Sequence, residues 1–139
     1  MTYWARTISA AALVALLSVP SIEGQKSRRP AALPGYDPAV EVRVKGTIRE
    51  VTFYLCPVSG GTGAHLRIDT AKQAVEVHLA PSWFLEKYGM KFRLGEKVEV
   101  IGVKYIRRDE TGLVARQVES AIGTYSFRNP EGKPLWLPD

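Results

Sequence analysis

The chain has 139 residues, enough for one small domain, and a formal net charge of +5. It contains one cysteine and two histidines. A single cysteine excludes an intramolecular disulfide bond, so the hydrophobic core has to stabilise the fold.

The first 24 residues have the layout of a secretory signal peptide. Arg6 precedes an apolar run at residues 8–19, and small or turn-forming residues follow it. Cleavage is expected after Ser21 or after Gly24. The apolar run is shorter than the roughly 20 residues that span a bilayer, although an uncleaved N-terminal anchor is the alternative. The sequence therefore predicts a periplasmic or secreted protein with no membrane span after cleavage.

Residues 25–38 are predicted to form a flexible leader. This segment contains three basic residues and three prolines, and it lacks a periodic apolar pattern. The folded domain is expected to occupy residues 39–139.

The first strand of the domain is predicted to be long and bent, because its apolar residues change phase. The even-numbered set is Val40, Val42, Val44 and Ile48, and the odd-numbered set is Val51, Phe53 and Leu55. A bulge or sharp bend at residues 46–50 accounts for the change. Residues 57–63 follow as a glycine-rich loop.

Residues 64–79 predict a two-stranded hairpin. Apolar and polar residues alternate on both sides of a short turn at residues 70–73. Matching the apolar positions fixes the register, because a slip of one residue would turn every apolar side chain towards water. The facing pairs are Leu66 with Val77, Ile68 with Val75, Arg67 with Glu76, and His65 with His78.

A short helix is predicted directly after this hairpin, at residues 81–88. Pro81 suits the first helical position, and Gly89 suits the position just past the end. About two turns of helix are too short to be stable alone in water, so the helix has to bury an apolar surface. The residues expected to form this surface are Trp83, Phe84 and Leu85.

Two further strands and a terminal hairpin complete the pattern. A second curved strand is predicted at residues 95–109, with its change of phase at Gly102, and a return strand at residues 113–122. Residues 124–136 predict a small hairpin that covers an open end or edge of the sheet. Its covering residues are Tyr125, Phe127, Leu135 and Trp136.

The order of the elements predicts an all-β fold. It is a five-stranded OB-fold-like Greek-key barrel with one short helix between strands 3 and 4 and a C-terminal β-hairpin. Two segments, GEKVEVIG before the fourth strand and VHLAPSWFL across the third strand and the helix, resemble small exported bacterial OB-fold proteins. The resemblance covers residues 40–136 and implies the fold, with no defined activity attached to the group.

The cysteine and both histidines converge in this arrangement. Pairing Leu55 with Leu66 places Cys56 opposite His65, and His65 already faces His78. The three side chains would form a row on the outer face of adjacent strands, which lie ~4.8 Å apart. Thiolate and imidazole groups bind copper and zinc, so one hypothesis is a transition-metal site formed by Cys56, His65 and His78.

The alternative is that the two histidines only happen to face each other and that Cys56 is a small packing residue at a strand end. In that case the protein has no cofactor. A lone cysteine in an exported protein can also form an intermolecular disulfide.

Catalysis has little support in the sequence, and we expect a protein that is not an enzyme. The acidic residues are scattered over outward positions and turns, and no serine has a histidine and an aspartate partner at a suggestive spacing. The glycine-rich loop lacks the Lys-Ser/Thr pair of a phosphate-binding loop.

The expected function is therefore that of an exported binding module, monomeric, for a protein or a glycan outside the cytoplasm. Its predicted ligand-binding surface is the outer face of the second and third strands together with the glycine-rich loop. Nucleic acid is disfavoured, because single-strand binders stack bases on exposed aromatic residues and this face has none. The candidate ligand-binding residues are Cys56, Ser59, His65, Arg67, Glu76 and His78.

Overall fold

The computed structural model describes residues 35–56, 59, 61–107 and 109–138. The predicted signal peptide and residues 25–34 of the predicted leader lie outside the described residues. A single 3-10 turn at Pro38–Val40 precedes the first strand. The elements are β1 (Val42–Cys56), β2 (Gly61–Asp69), β3 (Ala74–Pro81), α1 (Ser82–Lys87), β4 (Lys97–Arg107), β5 (Glu110–Ser120) and β6 (Gly123–Ser126).

Five of the strands form a closed ring. The order is β3-β2-β1-β4-β5, and a parallel pairing between β3 and β5 closes it, while all other neighbours are antiparallel. Strand β6 adds to the free edge of β5. The predicted all-β fold, a five-stranded barrel with one short helix between its third and fourth strands, is confirmed.

Bends in β1 and β4 allow the sheet to curl into this ring. The register of β1 shifts between Ile48 and Glu50, as the change of apolar phase predicts, so that β1 pairs first with β4 and then with β2. The register of β4 shifts between Ile101 and Gly102. A side chain at Gly102 would place its Cβ 2.2 Å from the carbonyl oxygen of Val114, so only glycine allows this close approach.

The hairpin of β2 and β3 has the predicted register in all four facing pairs. Thr70 closes its turn, because its backbone nitrogen and its hydroxyl both donate hydrogen bonds to the carbonyl oxygen of Gln73. The inward side chains Leu66, Ile68 and Val77 are fully buried. Since side chains alternate across a strand, His65 and His78 point away from this core.

Helix α1 packs Phe84 and Leu85 into the core, as predicted. Gly89 adopts a left-handed conformation with φ +62°, and its amide donates to the carbonyl oxygen of Glu86, which ends the helix where the sequence indicates. The predicted burial of Trp83 is wrong, because this side chain is 50% exposed. A helix of six residues has one buried face, and that face is taken by Phe84 and Leu85.

The C-terminal segment covers the helix end of the core. An isolated bridge joins Arg128 to Pro134, and the amide of Gly132 donates a hydrogen bond to the carbonyl oxygen of Asn129 in the turn between them. Phe127 is completely buried, and its ring lies 6.5 Å from that of Phe84. The prediction that this segment covers the barrel is correct for Phe127, while Leu135 remains 46% exposed.

Candidate metal centre

The chain's single cysteine and both of its histidines meet in one cluster. Cys56 is the last residue of β1, His65 lies in β2 and His78 lies in β3. The sulfur and the ring nitrogens that could bind a metal all lie within 4.8 Å of one another. The Cys56 Sγ and the His78 Nδ1 lie 3.1 Å apart.

The three side chains point away from the barrel core, yet they are buried rather than exposed to solvent. Their exposed fractions are 0% for His65 and 4% for both His78 and Cys56. The ring of Tyr54 covers His65 in a parallel stack, with 3.7 Å between the ring centroids. Tyr105 packs against His78 from the other side. Two aromatic rings therefore enclose an outward-facing row of polar residues.

The ring of His78 is held in one orientation. Its Nε2 forms a hydrogen bond with the hydroxyl of Tyr105, which leaves the Nδ1 directed at the Cys56 sulfur. His65 meets this ring edge-on, with 4.6 Å between the centroids. Metal-binding histidines commonly use one nitrogen for the ion and the other for such an orienting hydrogen bond.

The ring nitrogens of His65 make no hydrogen bond of good geometry within the described part of the chain. Burial lowers the pKa of His65 from 6.5 to about 4, although the nearby backbone of Gly63 and Thr52 opposes the shift. The imidazole is therefore neutral at physiological pH. A neutral imidazole is the form that binds metal ions.

Two glycines make room for the cluster. A Cβ on Gly63 would lie 2.5 Å from the Cβ of Cys56, 2.7 Å from the hydroxyl of Ser59 and 3.1 Å from the His65 ring. A Cβ on Gly112 would lie 2.2 Å from the ring of Tyr105. Both glycines are therefore needed for the side chains of the cluster and its wall to lie where they do.

The register that brings Cys56 to the cluster differs from the predicted one. Cys56 pairs with Gly61, and His65 pairs with Thr52, so the predicted pairing of Cys56 with His65 is wrong. Strand β2 begins at Gly61, within the segment predicted as loop, and the bulge in β1 also moves the register. Cys56 still lies beside His65 because Gly63 has no side chain to separate them.

The same change of register exposes one face of β1 near its end. Phe53 and Leu55 were predicted to point into the core, but they are 56% and 80% exposed. They pair with Ala64 and Thr62, near the tip of the β1–β2 hairpin and beyond the last core residue of β1.

The sequence model of the MamS/MamX magnetosome protein family matches residues 40–122, more than half of the chain. The chain belongs to the MamS/MamX magnetosome protein family. The matched range contains all three residues of the cluster as well as Tyr54 and Tyr105. No curated protein matched the chain. In the described part of this family member, no helix is both long and apolar enough to cross a membrane.

The other predicted ligand-binding residues divide into two groups. Ser59 lies beside the cluster, where its buried hydroxyl has no hydrogen-bond partner among the described residues. Arg67 and Glu76 face each other across β2 and β3, and Arg67 is exposed. The structure therefore gathers Cys56, Ser59, His65 and His78, and leaves Arg67 and Glu76 on the accessible surface of the hairpin.

Sequence reasoning missed the two tyrosines of the cluster. Tyr54 is two residues before Cys56 and so shares its face of β1, which is a signal that the alternation of side chains could have revealed. Tyr105 has no such local signal, because it is 27 residues from His78 and reaches it only through the pairing of β3 with β5.

The burial of His65 predicts that the metal-free protein loses stability in mild acid. The unfolded chain takes up a proton near pH 6.5, whereas folded His65 does so only near pH 4. The stability that this residue confers is complete above pH 6.5, decreases as the pH falls towards 4, and changes by about 3 kcal/mol over that window. Urea unfolding at a series of pH values, with chelator present, measures this change.

The matched control for this titration is His65→Gln, which keeps a polar side chain but has no proton to take up. The difference between the two proteins isolates the histidine from the carboxylates that titrate in the same range. Parallel stability curves for the two proteins between pH 7 and pH 4 would contradict the prediction.

Proposed function

We propose that this chain is a non-catalytic, transition-metal-binding module built on an OB-fold-like barrel. The observation that carries the proposal is the convergence of every cysteine and histidine of the chain into one buried cluster, with the ligand atoms within 4.8 Å of one another.

Unsatisfied polar atoms support a bound ion at this position. In the described residues, four buried side-chain nitrogen and oxygen atoms lack a hydrogen-bond partner. Three of the four are at the cluster: the two ring nitrogens of His65 and the hydroxyl oxygen of Ser59. Leaving such a group unpaired in the interior costs about 1–3 kcal/mol. A metal ion bound to His65 would remove part of that cost.

The donor atoms indicate the class of metal. One thiolate and two imidazoles favour zinc, copper and other soft or borderline ions, whereas magnesium and calcium prefer oxygen ligands. The hydrogen bond between His78 and Tyr105 would hold the ligand ring in place. The stack of Tyr54 on His65 would do the same for the second imidazole.

The predicted signal peptide supports a place outside the cytoplasm. The family is a magnetosome protein family, and residues 1–24 have the layout of an export signal. We therefore propose that the domain works on the periplasmic side of a membrane. Among the described residues the donor side chains are buried, which favours binding over catalysis.

Metal titration of the purified full-length chain, reduced and freed of metal, tests the proposal by calorimetry with zinc(II), copper(I) and iron(II). We expect one ion per chain and the release of a proton as the Cys56 thiol becomes a thiolate. Cys56→Ser should weaken binding by more than the roughly 10–100-fold that is typical when an outer-shell partner of a ligand is lost. The double variant His65→Ala/His78→Ala should abolish it.

Arg67→Gln is the matched control, because Arg67 lies on the same face of β2 as His65 but is exposed. This variant should bind metal like the original protein. Equal titration curves for Cys56→Ser and the original chain would remove the metal proposal.

The second candidate is the binding of a protein by the tip of the β1–β2 hairpin. The exposed side chains of Phe53 and Leu55 favour it, because large apolar groups on an edge commonly mark an interaction surface. If the chain binds no metal, protein binding by the hairpin tip becomes the leading proposal.

A further inference from the structure

The number of protein ligands at the cluster distinguishes between the metals that it could bind. The chain has no other cysteine or histidine, and within the described residues no carboxylate joins the group of Cys56, His65 and His78. Structural zinc sites use four protein ligands, and catalytic zinc sites use three with a position open to water. The cluster has three ligands and is buried, so it fits neither arrangement.

Tyr105 does not supply the missing fourth ligand. Its hydroxyl is bound to the Nε2 of His78, whereas the Nδ1 of the same ring faces the Cys56 sulfur. The phenol therefore lies on the far side of the imidazole from the position that an ion would take. Its role is to orient the ring.

A thiolate with two imidazoles in a trigonal arrangement is the ligand set of copper sites that transfer single electrons. Such sites need no open coordination position. They also favour a rigid, water-excluding surround, which the rings of Tyr54 and Tyr105 provide here.

From this ligand set, and resting on the proposed function, we infer that the cluster is a mononuclear copper centre that cycles between copper(I) and copper(II). On binding copper(I), Cys56 forms a sulfur–copper bond and releases its thiol proton. Oxidation then removes one electron from copper(I), and a redox protein or small-molecule carrier accepts it. A second redox protein or small-molecule carrier then donates one electron and returns copper(II) to copper(I), with no ligand exchanged and no proton moved.

Absorption and electron paramagnetic resonance spectra of the full-length chain loaded with copper test this inference. Copper(II) bound to a thiolate in a trigonal site gives an intense visible charge-transfer band. We expect this band to disappear on addition of ascorbate, to return with ferricyanide, and to persist over repeated cycles. Cys56→Ser should lose the band, and Arg67→Gln should retain it.

A further variant, Tyr105→Phe, tests the geometry. It removes the hydrogen bond to His78 but keeps the ring, so the copper stoichiometry should stay at one while the reduction potential shifts. If Tyr105 were instead a ligand of a four-coordinate zinc site, the same variant would weaken zinc binding sharply and leave no copper signal to shift.

The outcomes distinguish this inference from the function on which it rests. Binding of zinc(II) by the original chain but not by Cys56→Ser, together with copper(II) that shows no charge-transfer band, would overturn the copper centre and keep the metal site. If addition of copper(II) oxidised the Cys56 thiol once and irreversibly, this result would also overturn the copper centre. If the chain bound none of the metals, both the copper centre and the metal-binding function would be ruled out.

Discussion

Replacing Gly63 by alanine should abolish metal binding while leaving the barrel folded. The new Cβ would lie 2.5 Å from the Cβ of Cys56 and 2.7 Å from the Ser59 hydroxyl, closer than carbon atoms and oxygen atoms approach without bonding. Cys56 therefore has to move away from His65 and His78. One ion bound to a sulfur at ~2.3 Å and a nitrogen at ~2.1 Å spans at most about 4.4 Å, so donor atoms that lie within 4.8 Å of one another have no room for further separation. Calorimetric titration with zinc(II) and copper(I) measures the loss.

The control is Gly35→Ala, because a Cβ at this position meets no atom within 4 Å and the backbone is not strained. We expect it to bind metal normally.

Overpacking at Gly63 should cost about 1–3 kcal/mol of stability, which circular dichroism during urea unfolding will report. If Gly63→Ala fails to fold, Gly112→Ala provides the second test, because it displaces the Tyr105 ring and through it His78. Full affinity in a folded Gly63→Ala protein would contradict the proposed geometry.

The hairpin of β2 and β3 shows why part of this fold is predictable from sequence. Apolar and polar residues alternate without interruption on both strands, and Thr70 closes a tight turn between them. The four predicted pairs of the hairpin follow from that alternation, since one face is buried and a slip would expose it. The closed barrel then follows from the order of the elements and the phase changes in β1 and β4.

The pairing of β1 with β2 shows where such reasoning stops. A bulge inserts one residue at the bend, and β2 begins at Gly61, inside the segment that the glycines mark as a loop. Apolar alternation continues through Phe53 and Leu55 beyond the end of the core, so the pattern carries no sign of where burial stops. Matching apolar residues across this gap therefore gave the wrong partners.

The candidate site contains one contact that the sequence predicts and others that it does not. The meeting of His65 with His78 follows from the hairpin register, because they are directly opposite each other. The burial of the cluster could not be predicted, since it depends on Tyr105 and on Gly112, which reach β3 only through the closure of the barrel. Long-range contacts of this kind leave no periodic trace in the residues that make them.

The largest effect on stability is expected from Phe127→Ala. This side chain is completely buried, lies 6.5 Å from the ring of Phe84, and belongs to the segment that covers the helix end of the barrel. Removing a buried phenylalanine side chain costs about 3–5 kcal/mol through lost burial and the cavity that remains. Urea unfolding followed by circular dichroism measures the change in the free energy of unfolding.

Trp83→Ala is the informative control, because sequence reasoning places Trp83 in the core and the structure leaves it 50% exposed. We expect a loss of no more than about 1 kcal/mol, since surface substitutions have small effects.

Phe127 also lies beyond residues 40–122, the range that the family model matches. A large loss for Phe127→Ala would therefore show that the folding unit extends past the matched range, and that a protein truncated at residue 122 would lack part of its own core. Equal losses for the two variants would instead place the C-terminal segment outside the cooperative core.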